Sequence, residues 1–294
     1  MTMVAALLAA VWFVPGAVRA QTQIPVPDVW GDQLLFFYDA RPGRVSFLSI
    51  SNPSSKAVTV EIAFYPLQLD RRLGQETRTL VGAANVVLDP ATAAGGVGGG
   101  QAGLVVVTPI QTDDASPIVP PEPLAGAFTL ANTTLGSAFG ENAFGRLAVD
   151  GVGIRPRAGR VVDGSTIRFQ RFAPSGLIVP VYFNPARLGR PEDDGNRLIL
   201  VAFADRYAGR FDVVSARRSL TARFVDEKGV QRAFGTAIVD GVRLTNLQEL
   251  SGGVVLNESG KVFLEQGTED AGSLFGIFTQ SLDTYASGQR LPST

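Results

Sequence analysis

The chain has 294 residues, of which 45% are hydrophobic and 18% charged, and its formal net charge is −1. That length suits one large domain or two ordinary ones, and so small a charge disfavours nucleic-acid binding through bulk positive charge. Histidine and cysteine are absent. Their absence excludes disulfides, histidine- or thiolate-bound zinc, and the serine–histidine and cysteine–histidine mechanisms. The 33 glycines and 18 prolines favour many short strands joined by turns.

Residues 1–20 have the pattern of a secretory signal peptide. Val4 to Val14 is an unbroken apolar run, too short for a membrane-spanning helix of about 20 residues. A Pro15-Gly16 break and small residues follow, as before a cleavage site, although no positive charge precedes Arg19. We therefore expect export to the periplasm, the cell surface or the extracellular space, and no transmembrane span in the mature chain.

The segment Arg44–Tyr65 predicts two strands joined by a turn at Asn52–Lys56. In the second strand one face holds Val58, Val60, Ile62 and Phe64, and the other holds Thr59, Glu61 and Ala63. A period of two is typical of a strand with one buried and one solvated face.

Four landmarks of the first half recur in the same order in the second half, which predicts an internal duplication. Tyr38–Gly43, Arg44–Asn52, Leu69–Gly74 and Gly126–Thr129 are echoed by Tyr182–Gly189, Arg197–Asp205, Leu220–Gly229 and Gly276–Thr279. The offset ranges from 146, between Gly43 and Gly189, to 155, between Gly74 and Gly229. The alternative is that any two β domains share such strand–turn–glycine patterns.

The predicted fold is therefore all-β, with two tandem Ig-like antiparallel β-sandwich units. The first unit spans residues 21–135 and the second residues 166–294. The glycine- and alanine-rich stretch 136–165 is interpreted as the junction between them.

Candidate binding residues are few. They are the aromatic residues Trp30, Tyr38 and Tyr182, which could stack on a sugar, and the arginines Arg155, Arg157 and Arg160, which could hold a polyanion such as a surface glycan or a lipid headgroup. A lone tryptophan more often caps a core, and arginines on a linker are more often simply solvated.

Two further motifs resemble ligand sites but are interpreted as loops. Gly98–Gly103 matches G-x-G-x-x-G, yet a strand follows it where a dinucleotide site needs a helix. Arg190–Asn196 gathers carboxylates beside a glycine, but at adjacent rather than alternate positions. We therefore predict no cofactor and no metal. Asp240-Gly241, between two strand candidates, is interpreted as a hairpin turn.

These features predict an exported, non-catalytic protein with a structural or interaction role in the cell envelope or extracellular space. It would bind a partner protein or surface glycan through loops or edge strands. The alternative is a carbohydrate- or ligand-binding module, and a glycoside hydrolase based on two carboxylates stays formally open. Aromatic rings exposed on a concave patch would favour the ligand alternative, and buried rings the structural one.

Overall fold

The computed structural model describes residues 30–110, 123–134, 136–150, 166–169, 176–182, 197–208, 215–250, 260–266, 272–282 and 285–291. Within those ranges the chain is almost entirely β-strand, with antiparallel pairing, one four-residue α-helix and one 3-10 helix at Ala93–Gly95. This confirms the all-β prediction. The predicted signal peptide, the three candidate arginines and the segment Arg190–Asn196 lie outside the described residues.

The strands of the first half are β1 (Trp30–Gly31), β2 (Gln33–Asp39), β3 (Arg44–Ser51), β4 (Val58–Pro66), β5 (Gly74–Leu80), β6 (Asn85–Leu88), β7 (Ala102–Pro109), β8 (Leu124–Asn132), β9 (Ser137–Asn142) and β10 (Phe144–Arg146). They are followed by β11 (Ala148–Asp150), β12 (Thr166–Phe169), β13 (Gly176–Tyr182), β14 (Arg197–Phe203), β15 (Arg206–Ala208), β16 (Arg217–Asp226), β17 (Gln231–Asn246), helix α1 (Leu247–Leu250), β18 (Gly260–Gln266), β19 (Ser273–Leu282) and β20 (Tyr285–Arg290).

The first sandwich consists of two sheets that bury a common core. Sheet A has the order β9–β8–β3–β6, with β1 also paired to β8, and sheet B has the order β10–β2–β7–β4–β5. Phe36 and Ile62 of sheet B and Ile50 and Phe128 of sheet A are fully or almost fully buried. The sheets approach so closely that a Cβ on Gly126 would lie 2.6 Å from Cζ of Phe36.

The second sandwich is one seven-stranded sheet folded over on itself at β17. The first part of β17 pairs with β16 and the second part, from Gly241, pairs with β14. We name the two arms sheet D (β13–β18–β16–β17) and sheet E (β17–β14–β19–β20). They enclose a second core that includes Leu200, Phe224 and Phe278. The strands β11, β12 and β15 form a small sheet C beside them.

The hairpin predicted at Asp240-Gly241 is wrong, because β17 continues through it as one strand. Gly241 has φ of 72°, a left-handed conformation that glycine adopts without steric cost. Here the positive φ bends a strand from one sheet into the next, whereas in a hairpin it would reverse the chain.

The two sandwiches have the same strand order. The order β2–β7–β4–β5 in sheet B corresponds to β13–β18–β16–β17 in sheet D, and β9–β8–β3–β6 in sheet A corresponds to β20–β19–β14–β17 in sheet E. Two of the echoed landmarks, Arg44–Asn52 and Gly126–Thr129, fall on strands that correspond in this way. Leu69–Gly74 lies mostly in the connection between β4 and β5, and the echo Tyr182–Gly189 lies mostly outside the described residues. The tandem duplication stays a prediction, and the common order supports it.

The register of the paired strands shows which residues of the two sandwiches correspond. Gly126 pairs with Ile50 and Gly276 pairs with Leu200, so both strands repeat with an offset of 150. The sequence match of Arg44–Asn52 to Arg197–Asp205, at an offset of 153, is three residues out of this register. Tyr38 and Tyr182 are counterparts, and each pairs with a glycine of the corresponding strand.

The sandwiches pack against each other through the outer faces of sheets B and E. Phe144, on β10, stacks on Phe275, on β19, with ring centroids 3.7 Å apart. At the other end of this junction the amide of Val242 donates a hydrogen bond of 2.6 Å to the carbonyl oxygen of Leu67. The sheets therefore follow one another in the order A, B, E, D, with the outer faces of A and D at the two ends. The edge strand β9 of sheet A also contacts the edge strand β20 of sheet E.

The domain division at residues 135, 136 and 165 stays a prediction. β9 and β10, which follow residue 135, nevertheless join sheets A and B, so the first sandwich uses part of the stretch interpreted as a junction. The Ig-like designation also stays a prediction. In the immunoglobulin order the first two strands are neighbours in one sheet, whereas β2 and β3 lie in different sheets here.

Candidate functional site: the outer face of sheet A

The outer face of sheet A is the candidate site, and we call it the A face. Strand β3 alternates, with Leu48 and Ile50 in the core and Phe47 and Ser49 pointing outward. The pairing of the neighbouring strands extends the outward set across the sheet. The A face comprises Trp30, Val45, Phe47, Ser49, Ser51, Asn85, Val87, Ala125, Ala127, Thr129, Ala131, Ala138, Gly140 and Asn142.

The A face carries no charged side chain among these described positions. Three large apolar side chains project from it into solvent: Trp30 is 48% exposed, Phe47 46% and Val87 63%. The rest of the surface is built from small side chains. An uncharged sheet face with exposed large apolar groups is a common feature of interaction surfaces.

Three polar side chains of the A face pair with one another. The hydroxyls of Ser49 and Ser51 both donate to Oδ1 of Asn85, over 2.8 and 3.2 Å. These contacts pair polar groups on the face without a charged partner.

The outer face of sheet D, at the opposite end of the molecule, is different in character. The guanidinium of Arg223 lies 4.4 Å from the ring centroid of Phe263, and its Nε donates to Glu265 over 3.0 Å. Lys261 is exposed on the same sheet. The charged side chains of this face are favourably solvated. The A face lacks them at its described positions, which makes it the better candidate for a binding surface.

The structure separates the predicted aromatic site residues. Trp30 is exposed on the A face, whereas Tyr38 is fully buried in sheet B. Tyr182 ends β13 and its backbone pairs with Gly260; its side chain is outside the described part of the chain. Phe47 and Val87 were not predicted as site residues. The available signal was the alternation of β3, which puts Phe47 on the same face as Ser49 and Ser51.

Tyr38 lies beneath the glycine-rich loop. A Cβ on Gly103 would lie 3.1 Å from the Tyr38 ring and 2.0 Å from the carbonyl oxygen of Tyr65. The strand β7 follows this loop, as the sequence predicts. Among the residues that the structure describes, the Tyr38 hydroxyl has no hydrogen-bond partner, and burial raises the pKa of Tyr38 to about 12.

A carboxylate at the junction of the two sandwiches is held by arginines. Asp39 accepts hydrogen bonds from Nε and a terminal nitrogen of Arg41, over 2.8 and 2.7 Å, and Arg197 approaches to 3.4 Å. Burial acts to raise the pKa of Asp39, but the hydrogen bonds and charge of Arg41, together with the charge of Arg197, hold that pKa below its ordinary value. This favours the ionised form, so Asp39 is suited to an ion pair and not to donating a proton.

A fully buried arginine occupies the same junction. The guanidinium carbon of Arg146 lies 4.4 Å from the ring centroid of Phe169 and 4.5 Å from that of Phe203. Its nitrogens donate to the side chain of Gln33 and to the carbonyl oxygen of Ala204. These contacts tie β10, β12 and the end of β14 together, which is a structural role.

Metal-binding side chains do not cluster in the described ranges, where no group of three or more acidic, histidine or cysteine residues could hold an ion. In the same ranges no helix has the length and apolar character of a membrane span.

Comparison with known proteins adds little. No protein-family model and no curated protein matches the chain. Among solved structures, the chain is similar to a "putative secreted protein" from Parabacteroides distasonis ATCC 8503, with 12% identity over 87% of this chain and 73% of that chain, and a TM-score of 0.19. A score that low carries no argument about fold or function.

Proposed function

We propose that this protein is an exported, non-catalytic β-sandwich protein of the cell envelope or extracellular space, and that it acts by binding a partner through the A face. The observation that carries the proposal is the combination of an uncharged surface with the exposed side chains of Trp30, Phe47 and Val87. Export rests on the signal-like pattern of residues 1–20.

The non-catalytic part of the proposal is supported by the pairing of the buried carboxylates. Asp39 is held by Arg41 and Arg197, and Glu61 lies 2.8 Å from a terminal nitrogen of Arg72. A glycoside hydrolase needs one carboxyl group whose pKa is raised, so that it can donate a proton. Arginine partners act in the opposite direction.

A carbohydrate-binding module is the second candidate, and the exposed ring of Trp30 favours it. Phe47 offers a second exposed ring on the same face, with hydroxyl and amide groups near it. The burial of Tyr38 weakens this candidate, because it removes one of the rings expected to bind a sugar.

Capture experiments with matched variants test the proposal. The mature chain, from Gln21 onward, would be incubated with the envelope fraction of its own cells, cross-linked and recovered. Phe47→Glu places a charge on the A face, and Ile238→Glu places one on sheet D, where Ile238 is 48% exposed. We expect the same partner with the wild type and Ile238→Glu, and its loss with Phe47→Glu. Equal capture by all three proteins would contradict binding through the A face.

A further inference from the structure

The counterpart of the A face is already a docking surface within this chain. Because the register repeats at an offset of 150, the outward residues of sheet A correspond to those of sheet E that pack on sheet B. Ser49 and Ser51 correspond to Ile199 and Val201, and Ala125 and Ala127 correspond to Phe275 and Ile277. In sheet E all four of these positions are buried. The fold therefore buries the outer face of one sheet by stacking another of its own sheets on it.

The A face could pack against another sheet as sheet E packs against sheet B, although its side chains at the corresponding positions are smaller. Phe47 and Val87 project on the β3 and β6 side, whereas Ala125 and Ala127 on β8 leave a shallow row that Trp30 borders on the far side. A twofold axis through the middle of the face places Phe47 of each copy over the alanine row of the other. An isologous contact of this kind needs one self-complementary patch.

We propose that the A face is the contact between two copies of this chain, which pack sheet A against sheet A around a twofold axis. This rests on the proposed function, because it names the partner of the same face. The charged outer face of sheet D is a poorer complement, since Arg223, Glu265 and Lys261 would lose water without gaining a charged partner. Two A faces bring no charge into the contact.

The size of the face sets the strength of the contact. The four strands are four to nine residues long, and at about 4.8 Å between strands and about 3.3 Å per residue they cover roughly 430 Å². Two copies then bury about 860 Å² in total, which is in the range of weak, transient contacts. We therefore expect a reversible dimer with a dissociation constant in the micromolar range.

Sedimentation equilibrium tests the dimer directly. The purified mature chain would be measured from about 1 to 300 µM, with Phe47→Glu and Val87→Glu as disrupting variants and Ile238→Glu as the control. The wild type and Ile238→Glu should dimerise alike, and each disrupting variant should weaken the dimer at least tenfold. Thermal melts would show that the variants are folded, and either disrupting variant suffices if the other does not fold.

The absence of cysteine allows a second measurement of geometry. Ala127→Cys lies near the proposed axis and Thr221→Cys lies on the outer face of sheet D. A short bismaleimide should cross-link Ala127→Cys into dimers and leave Thr221→Cys monomeric.

Three results would overturn the inference: a wild type that is monomeric at 300 µM, a dimer insensitive to both disrupting variants, or equal cross-linking of the two cysteine variants. If Phe47→Glu loses envelope capture and the wild type is monomeric, self-association is overturned and the proposed function stands. If Phe47→Glu disrupts a dimer and the wild type captures no envelope partner, self-association stands and binding of a separate envelope partner is overturned.

Discussion

The Tyr38 hydroxyl is a buried polar group. Its ring contacts Phe64 edge to face, with centroids 6.2 Å apart, and in the described part of the chain the hydroxyl finds no hydrogen-bond partner. In water that hydroxyl would both donate and accept, so burial costs free energy that nothing nearby returns. The Tyr38 ring fills space under the glycine-rich loop Gly98–Gly103. Its buried hydroxyl lowers the stability of the folded protein.

Tyr38→Phe should therefore stabilise the protein, by about 1 kcal/mol, since it removes the unpaired group and keeps the ring. The matched control is Tyr65→Phe, because the Tyr65 hydroxyl accepts a hydrogen bond of 3.1 Å from Nε of Arg72. That control should be destabilised. Urea unfolding at pH 7 measures both changes, and a less stable Tyr38→Phe protein would show that the hydroxyl is paired in solution.

The same tyrosine gives a pH dependence whose sign follows from its pKa. Folding raises the pKa of Tyr38 from 10.0 to about 12, so the unfolded chain ionises first. Ionisation of Tyr38 therefore does not affect the free energy of unfolding of the wild type below pH 10, and it lowers that free energy as the pH rises towards 12. The difference in stability between wild type and Tyr38→Phe should therefore widen between pH 10 and pH 12. A constant difference would mean that Tyr38 titrates normally.

At the scale of elements, the bend of β17 joins the two arms of the second sandwich and contacts the first. A Cβ on Gly241 would lie 2.6 Å from the carbonyl oxygen of Leu67 and 2.8 Å from that of Gln68. These atoms belong to the connection after β4. The bend therefore needs glycine for two reasons, its positive φ and the close approach of another segment's backbone.

Gly241→Ala should destabilise the protein by at least about 2 kcal/mol more than Gly229→Ala. Both glycines have positive φ, so alanine costs about 1 to 2 kcal/mol of backbone strain at each. Of the two, Gly241 adds a steric contact, because a Cβ on Gly229 meets no atom of the described residues within 4 Å. Denaturant unfolding of the two variants isolates the contact. Equal losses would mean that the bend does not dock on the first sandwich.

The sequence-based account of β4 was partly correct for a reason that applies to other strands. Val60 and Ile62 lie in the predicted core, but Glu61 and Ala63, predicted on the other face, are also buried. The layer that covers that face comes from residues beyond 196, and the period of a single strand carries no information about so distant a segment. Glu61 tolerates burial because Arg72 reaches it within 2.8 Å.

The A face was missed for a related reason. Exposure of Phe47 depends on what the rest of the chain leaves uncovered, which strand alternation cannot show. The apolar run Leu198–Phe203 of β14 did carry a signal, since a continuous apolar strand indicates burial on both faces. Both of its faces are indeed buried, one in each core cluster.

For the whole molecule, the junction between the sandwiches combines the buried polar contacts of Asp39 and Arg146 with an apolar cluster that is continuous with the first core. Ile199, Val201 and Ile277 of the second half belong to the same buried cluster as Leu35 and Phe37 of the first. Interfaces between independent domains are typically more polar. Separating the halves would expose this surface on both of them.

We therefore expect one cooperative unfolding transition for the whole chain in differential scanning calorimetry. Phe275→Asp should lower the stability of both halves together, because Phe275 stacks on Phe144 across the junction. The control is Thr221→Asp, on the exposed outer face of sheet D, which should leave the transition nearly unchanged. Two resolved transitions would show that the sandwiches unfold independently.

The double burial of β14 has a consequence for synthesis. A ribosome releases the first half before Arg197–Phe203 exists, so nascent chains hold Phe37 and Leu104 of sheet B open to water until the later strands arrive. During that interval any cellular holdase has an apolar patch to bind. We expect the first sandwich to fold before the strands that cover sheet B, because those strands are synthesised later.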